Sequence, residues 1–496
     1  MTERRIRYLG LFLILCFVAL FFQLNNIQVR QASQFANSPN NPKNYLAQTN
    51  EPRGDILTSG GTIIAESKPT SGAYPYLRVY PEGPLFADVT GFDSIIYGVS
   101  GAESSFDSAL TAHTQSSSNI GSLFTSGSVA DNVVLTVSNG LQEVAAAALG
   151  NHKGAVVALD PRTGAVLALY SSPTYDPNLL ASHNIAEEHK AWSTYQSETV
   201  NPMLARAYRQ SYPPGSTFKM VTASAVFDYK PAIATHYYPY ASDVALPDTT
   251  RLLHNYDNEL CGGTILILFE VSCDTGFGQI GIALGASTLY EQAMRYGFNT
   301  VPPFDLAAVA STFPPPSSFA GRVPELAYSA IGQEDVSATP LQMALVAGGV
   351  ANGGVIMTPH VLKEIRGPNG QLVSSYHPKP WRTAASPSTA ASVKRLMMAV
   401  VEGSQGTAYG LFPPSLDAAA KTGTAQNAPG HCCTNWLAAF APASNPQVVV
   451  VAVVPYQPGL PANPTGNAVA GPVVRKVLAA ALSLDRGSGS GGTPHG

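Results

Sequence analysis

The sequence predicts an α+β protein with one membrane-spanning helix at the N-terminus, a small α+β module, and a larger domain with a central antiparallel sheet flanked by helices. Three observations carry this prediction. Tyr8 to Leu24 is a run of mainly Leu, Phe, Ile, Val and Ala behind a basic tip containing Arg4, Arg5 and Arg7. Gly154 to Tyr170 consists of two apolar runs joined by Asp160-Pro161-Arg162-Thr163-Gly164, a β-hairpin signal. Trp436 to Ala441 and Val448 to Pro455 are apolar runs of strand length, and they read as central strands of an antiparallel sheet beside the stretch holding Lys421.

Taken in order, the first run is near the lower limit for a spanning helix, about 17 residues. No small-x-small cleavage site follows it, so it reads as a retained anchor; a cleaved signal peptide or a buried core helix is the alternative. The arginines before it place that end in the cytoplasm and the rest of the chain outside. Residues 1–30 are thus expected to form a cytoplasmic tip and single-pass plasma-membrane anchor. Gln31 to Pro52 is polar and proline-bearing, as a linker would be. Residues 31–150 form the small module, with Arg53-Gly54-Asp55-Ile56-Leu57 and Ile63-Ile64-Ala65 at its start. Further on it holds a strand-like run from Val133 to Val137 and a helical pattern from Leu141 to Leu149. The larger domain spans 151–482, with helical patterns after Lys219, around Leu284 to Tyr296, and from Pro340 to Ala351. Residues 483–496 are rich in Gly and Ser and read as a flexible tail.

Composition excludes several functions. Of 496 residues only 12% are charged, and the net charge of −4 offers no basic surface to nucleic acid. The ten histidines contain no H-E-x-x-H, and no G-x-S-x-G occurs, so neither a zincin site nor an α/β-hydrolase triad is indicated. Gly276-x-Gly278-x-x-Gly281 lacks the acidic partner and βα context of a dinucleotide fingerprint; its glycines read as allowing a helix to pack closely. Outside the membrane run, which holds Cys16, lie Cys261, Cys273, Cys432 and Cys433. Export makes disulfides possible, and four cysteines allow three pairings. Cys261 with Cys273 is the expected pair, because adjacent cysteines bridge only in a strained geometry; free buried thiols are the alternative.

The chemistry centres on Tyr212-Pro213-Pro214-Gly215-Ser216-Thr217-Phe218-Lys219. Positions i and i+3 share a helix face, so Ser216 is expected beside Lys219, a nucleophile next to a base. The preceding prolines and glycine fit a turn into a helix N-terminus, where unpaired N–H groups can stabilise an oxyanion. Alone, Ser-x-x-Lys is more often an exposed helix face. Here Ser272-Cys273-Asp274 and then Lys421-Thr422-Gly423-Thr424 follow in the chain. A base must be neutral, so Lys219 needs an apolar setting or a neighbouring cation, for which Lys421 is the candidate.

In this order the three motifs resemble the S-x-x-K, S-x-N-like and K-T-G motifs of the penicillin-binding protein and serine β-lactamase superfamily. The chain is most similar to class B penicillin-binding proteins of the actinobacterial penicillin-binding protein A group. That likeness rests on the short N-terminal module, the run Ser172 to Asn178, the phrase Tyr212 to Lys219, Cys261 and Cys273 around the second motif, and Trp436 after the third. It covers most of residues 50–480 and departs at Asp274, where S-x-N has Asn.

The resemblance implies a penicillin-binding transpeptidase domain over 151–482, of serine β-lactamase-like fold, behind a pedestal or dimerisation-type module. It further implies a D,D-transpeptidase that cross-links peptidoglycan stem peptides on lipid-linked or nascent glycan, through a Ser216 acyl-enzyme that β-lactams also form. Lys219 would be the base and Ser272 the relay between Lys219 and Lys421, while Asp274 meets substrate backbone or Lys219. Thr422, Gly423 and Thr424 would bind the donor, Thr422 and Thr424 holding its terminal carboxylate together with Lys421, and the amides of Ser216 and Thr424 would form the oxyanion hole. No metal or organic cofactor is implied. A glycosyltransferase of the division or elongation machinery is the implied partner. The rival readings are a D,D-carboxypeptidase or β-lactamase-like hydrolase, and a non-catalytic divisome scaffold.

Overall fold

The computed structural model describes residues 2–26, 51–72, 74–114, 128–197, 199–426, 432–461 and 464–488. The expected linker up to residue 50, and the tail beyond residue 488, lie outside the described residues. Thr2–Asn25 is one α-helix. Its stretch Arg7–Asn25, 19 residues with a mean hydropathy of 2.1, is nowhere buried against the rest of the chain. Its length and apolar surface suit a bilayer.

The larger domain is built on a five-stranded sheet in the order Val166–Ser172, Gly154–Leu159, Val448–Val454, Cys432–Ala441, Ala419–Gln426. All neighbours are antiparallel. The hairpin read from Gly154 to Tyr170 forms the far edge, and the two later apolar runs are central. Val448–Val454 is buried at every residue, so both faces of the sheet are covered and its side chains need no polar alternation. Helix Pro340–Ala351 packs on this sheet, as does Gly471–Ser488, which also packs against helix Asn139–Leu149. That last helix belongs to the small module in the sequence reading, yet it seats on the large sheet. Its buried Gln142 explains why: Nε2 donates to Leu169 O at 2.8 Å, and Oε1 accepts from Leu169 N at 2.9 Å. The C-terminal helix runs on to Ser488 instead of stopping at 482, burying Val473, Val474, Val477, Leu478, Ala481 and Leu482 along one face.

A second, six-stranded sheet orders Leu372–Ser375, Leu362–Arg366, Asn132–Leu135, Ile56–Leu57, Ile63–Pro69 and Tyr76–Val79. Two of its strands come from beyond residue 360, so the sheet joins the small module to the large domain across the chain boundary expected at 150. Gly54 sits where a Cβ would lie 1.9 Å from Asp131 O, which explains the glycine after Arg53. Arg53 and Arg78 both pair with the fully buried Glu103, so the segment that opens the module is fixed by ion pairs.

The glycine pattern of the second motif region resolves as expected. Gly276, Gly278 and Gly281 lie on helix Asp274–Leu284. A Cβ on Gly281 would come within 2.2 Å of Ala330 Cβ, and one on Gly276 within 2.6 Å of Leu268. The helix therefore approaches Val323–Ala330 and Ile265–Glu270 closely, which holds its first residue, Asp274, in the centre of the domain.

Candidate active site

Three chain segments converge on one cleft. In the first, Tyr212 and Ala338 exchange backbone hydrogen bonds of 2.9 and 2.8 Å, and Trp436 Nε1 donates to Pro213 O at 2.9 Å. Gly215 follows with φ +53°, a conformation that glycine takes without penalty, and a Cβ there would lie 3.0 Å from Ala425. Gly215–Phe218 is one 3-10 turn, and the α-helix Lys219–Tyr229 continues from it. Ser216 and Lys219 thus stand one turn apart at a helix start. Ser216 is 9% exposed and Lys219 fully buried.

In the second segment, helix Ile265–Glu270 ends in a reversal: Ser272 N donates to Phe269 O and Cys273 N to Leu268 O. Ser272 itself has φ +61°, which a residue with a Cβ seldom adopts. The neighbouring Cys273 is disulfide-bonded to Cys261, with Cα atoms 5.8 Å apart, so this reversal is tied to the strand Cys261–Gly263. Cys433 is disulfide-bonded as well, and Cys16 is free.

The reversal presents Ser272 to both lysines. Lys421 Nζ donates to Ser272 Oγ at 2.8 Å and to Thr422 O at 3.0 Å. Lys219 Nζ reaches Ser272 Oγ at 3.4 Å, Ser272 O at 2.6 Å and Asp274 Oδ1 at 2.7 Å. Ser216 Oγ donates to the same Asp274 oxygen at 3.4 Å. Nucleophile and lysine therefore meet through Asp274, not directly as the spacing predicts. The carboxylate offers a stronger partner to each than they offer each other.

Burial disfavours both ammonium groups. It lowers the Lys219 pKa, and Asp274 acts against that. Burial pushes the Lys421 pKa well below the ordinary lysine value; the charge on Lys219 adds to the fall, with only a lesser opposing effect from Asp274. The resting positive charge thus favours Lys219, the reverse of the expectation that Lys421 is the cation.

The third segment is the edge strand Ala419–Gln426, whose Lys421, Thr422, Gly423 and Thr424 pair with Ala438, Leu437, Trp436 and Asn435. Thr422 and Thr424 line the cleft together with Ser216, Ser272 and Asp274. Lys421 is sealed behind them, so side-chain contact with a ligand falls to the threonines. Gly423 is the close-approach point: a Cβ there would lie 2.9 Å from Thr217 and 3.0 Å from Pro214 O.

Several residues escaped the sequence reading. Thr407 shares a 2.7 Å hydrogen bond with Thr422, and Gly466 N donates to Thr424 Oγ1 at 3.1 Å. Gly332 accepts from Gly215 N at 2.9 Å, and a Cβ on it would strike Gly215 O at 2.3 Å. In the sequence only Gly332 has a marker, the phrase Ile331-Gly332-Gln333 ahead of the helical pattern from Pro340.

Comparison with known proteins agrees with this arrangement. Residues 154–479 match the penicillin binding protein transpeptidase domain, and residues 53–131 the penicillin binding protein A dimerisation domain. The chain is 36% identical to the peptidoglycan D,D-transpeptidase PbpA of Mycolicibacterium smegmatis, over 96% of this chain and 98% of that one. Its structure is similar to a ceftriaxone acyl-enzyme complex of penicillin-binding protein A from M. tuberculosis. There the TM-score is 0.81 at 34% identity, covering 88% of this chain and all of that one. It is also similar to the penicillin G acyl-enzyme complex of that protein, with a TM-score of 0.78 and 34% identity over 87% of this chain and all of that one.

The Cys261–Cys273 bridge closes a short loop, and such a closure typically stabilises by about 2–4 kcal/mol. Replacing both cysteines by serine is expected to lower the thermal midpoint of the larger domain accordingly. A midpoint unchanged by the double replacement would contradict the bridge's contribution.

Proposed function

The chain belongs to the penicillin-binding protein transpeptidase family, and we propose that it is a membrane-anchored peptidoglycan D,D-transpeptidase acting through Ser216. The observation that carries this reading is the hydrogen-bonded series Lys219, Ser272, Lys421, set beside Ser216 at the foot of one cleft. Such a series can move a proton between two amines without exposing either to water.

In this reading a donor stem peptide brings its terminal carboxylate to Thr422 and Thr424. The negative charge, arriving next to Lys421, draws a proton from Lys219 through Ser272 Oγ to Lys421. Lys219 is then neutral, loosens from Asp274, and takes the Ser216 proton as Oγ attacks the carbonyl carbon of the penultimate D-alanine. The amides of Ser216 and Thr424 hold the oxyanion. The peptide C–N bond breaks, Ser272 relays a proton to the leaving nitrogen, and D-alanine departs from the acyl-enzyme. An amine of a neighbouring stem peptide then takes the acyl group and restores the Ser216 hydroxyl. A β-lactam follows the first half of this course and stays on Ser216.

The anchor assignment rests on Thr2–Asn25, with the arginine-rich end inside and the catalytic domain outside the plasma membrane. We assign residues 1–30 to the anchor, 31–150 to the dimerisation-type module and 151–482 to the transpeptidase domain, with the C-terminal helix running on to Ser488. The work belongs to cell wall synthesis in division or elongation, where a glycosyltransferase supplies nascent glycan.

Two predictions follow the proton. Intact-protein mass after penicillin treatment is expected to show one adduct, on Ser216, that Ser216→Ala abolishes. Lys219→Ala is expected to slow acylation about 100-fold or more, the usual loss with an activating base. An adduct that survives Ser216→Ala would overturn the assignment.

Asp274→Asn tests the ion pair. Acylation needs neutral Lys219, so its rate falls as pH drops through the lysine's pKa. The Asp274 carboxylate raises that pKa; removing the charge is expected to move the acidic limb to lower pH. Penicillin acylation should then be equal or faster at neutral pH, with a larger gain below it. A folded Asp274→Asn variant that has lost acylation would show that the carboxylate itself carries the proton.

A further inference from the structure

The cleft that holds Ser216 has one wall whose chemistry the donor half of the reaction leaves unused. This wall is the turn Asn255–Glu259, between the strand Leu252–His254 and the strand Cys261–Gly263. It is rigidly held. Asn255 Nδ2 donates to Ala241 O and Glu259 O, both at 2.8 Å, and its Oδ1 accepts from Thr275 N at 2.9 Å. Asn258 N donates to Asn255 O, and Glu259 N to Tyr256 O. Asp257 and Asn258 both have left-handed backbone, φ 52° and 56°, which Asp and Asn tolerate best among residues with a Cβ. Two residues beyond Glu259, Cys261 is bridged to Cys273. The turn is thus fixed to the second motif twice, through Asn255 and through the disulfide.

The charge of this cleft is one-sided. Among the described residues that line it, the only ionised side chains are Glu259 and Asp274, and no basic side chain reaches it. Asp274 is engaged by Lys219; Glu259 is exposed and in no ion pair among those described. Beside it, Tyr256 Oη is buried with no hydrogen-bond partner, and its pKa is raised by burial and then by the carboxylates of Asp257 and Glu259. A free carboxylate on the wall of a cleft suits an N–H donor carrying positive charge.

We propose that the turn Asn255–Glu259 is the acceptor wall of this site, and that Glu259 draws the ammonium form of the acceptor amine to the acyl-enzyme in competition with water. The inference rests on the transpeptidase reading above and adds what makes the acyl group go to an amine. An acceptor amine arrives protonated at neutral pH. It gives one proton to solvent, its lone pair attacks the Ser216 ester carbonyl, and the C–Oγ bond breaks. A second nitrogen proton passes to Oγ, leaving an amide and a free Ser216 hydroxyl. Glu259 takes no proton in this course. It is a positioning residue that raises the local concentration of cationic amines.

The test follows the partition of one acyl-enzyme. The full-length protein receives an N-acyl-D-alanyl thioester that carries no amine, with glycinamide, a cation at neutral pH, or hydroxylamine, which is mostly uncharged there. The ratio of aminolysis to hydrolysis is read by chromatography. Glu259→Gln is expected to lower the glycinamide ratio about three- to five-fold, the scale of a partly screened charge pair. It should leave the hydroxylamine ratio and penicillin acylation unchanged, and Glu259→Asp should restore much of the glycinamide ratio. In the unaltered protein the glycinamide ratio should fall as salt is added, because exposed charges are screened. An unchanged glycinamide ratio in Glu259→Gln overturns the proposal. Should that variant fail to take penicillin, the salt series decides alone, and a ratio indifferent to ionic strength overturns it. Unaltered protein that takes no penicillin on Ser216 would instead sink the transpeptidase reading itself.

Discussion

Two lysine amines with no exposed surface share one serine hydroxyl, and among the described residues only one carboxylate is near enough to bond to either of them. Burying two ammonium groups together would cost several kcal/mol for each ion, so the cluster cannot keep both protons comfortably. Asp274 bonds to one of the two amines, and Ser272 Oγ lies within hydrogen-bond distance of both. Much of the local structure exists to hold this balance. Trp436 anchors the turn before Gly215, the disulfide clamps Cys273, and the left-handed backbone of Ser272 aims one residue at both lysines. The rings of Phe277 and Phe269 lie 5.3 and 5.5 Å from the two amines, so the walls that exclude water also offer π-faces to a cation.

Much of this was legible in the sequence, for a physical reason. The five-stranded sheet showed itself because buried strands are continuous apolar runs, and the hairpin because its turn residues are chemically distinct. The three motifs could be read because their residue types carry the chemistry. Geometry set by tertiary contact could not be read. Nothing in Ser272-Cys273-Asp274 states that the serine is left-handed, since the usual marker, glycine, is absent. The i, i+3 rule placed Ser216 beside Lys219 correctly along the helix, yet it could not see a carboxylate from a distant segment entering between them. Thr407 and Gly466 carry no local marker, because what places them at the site is tertiary contact with Thr422 and Thr424. The amphipathic pattern of helix Asn139–Leu149 shows that a face is buried but not which sheet covers it.

The same reasoning gives the two walls of the cleft different tasks. The strand holding Thr422 and Thr424 has hydroxyls in front and a lysine behind, which suits an anion. The turn holding Glu259 has a carboxylate in front and, among the described residues, no ion pair to it, which suits the opposite charge. A reaction that joins a carboxylate-bearing donor to an amine needs both, and the disulfide between Cys261 and Cys273 keeps the second wall at a set distance from the relay serine. The six-stranded sheet joins strands that precede the first motif to strands that lie between the second and third, and so ties the small module to the large domain.

The central claim is that Asp274 favours the ammonium form of Lys219, while burial and the neighbouring Lys219 disfavour that of Lys421. Nuclear magnetic resonance of the side-chain nitrogens of 15N-labelled lysine measures this directly, with Lys219 and Lys421 assigned by single replacement. The account predicts that near neutral pH the Lys219 nitrogen carries the ammonium shift while Lys421 has the shift of a free amine and titrates at lower pH. Lys421 remaining an ammonium at and above neutral pH, with Lys219 neutral or with both charged, would contradict it.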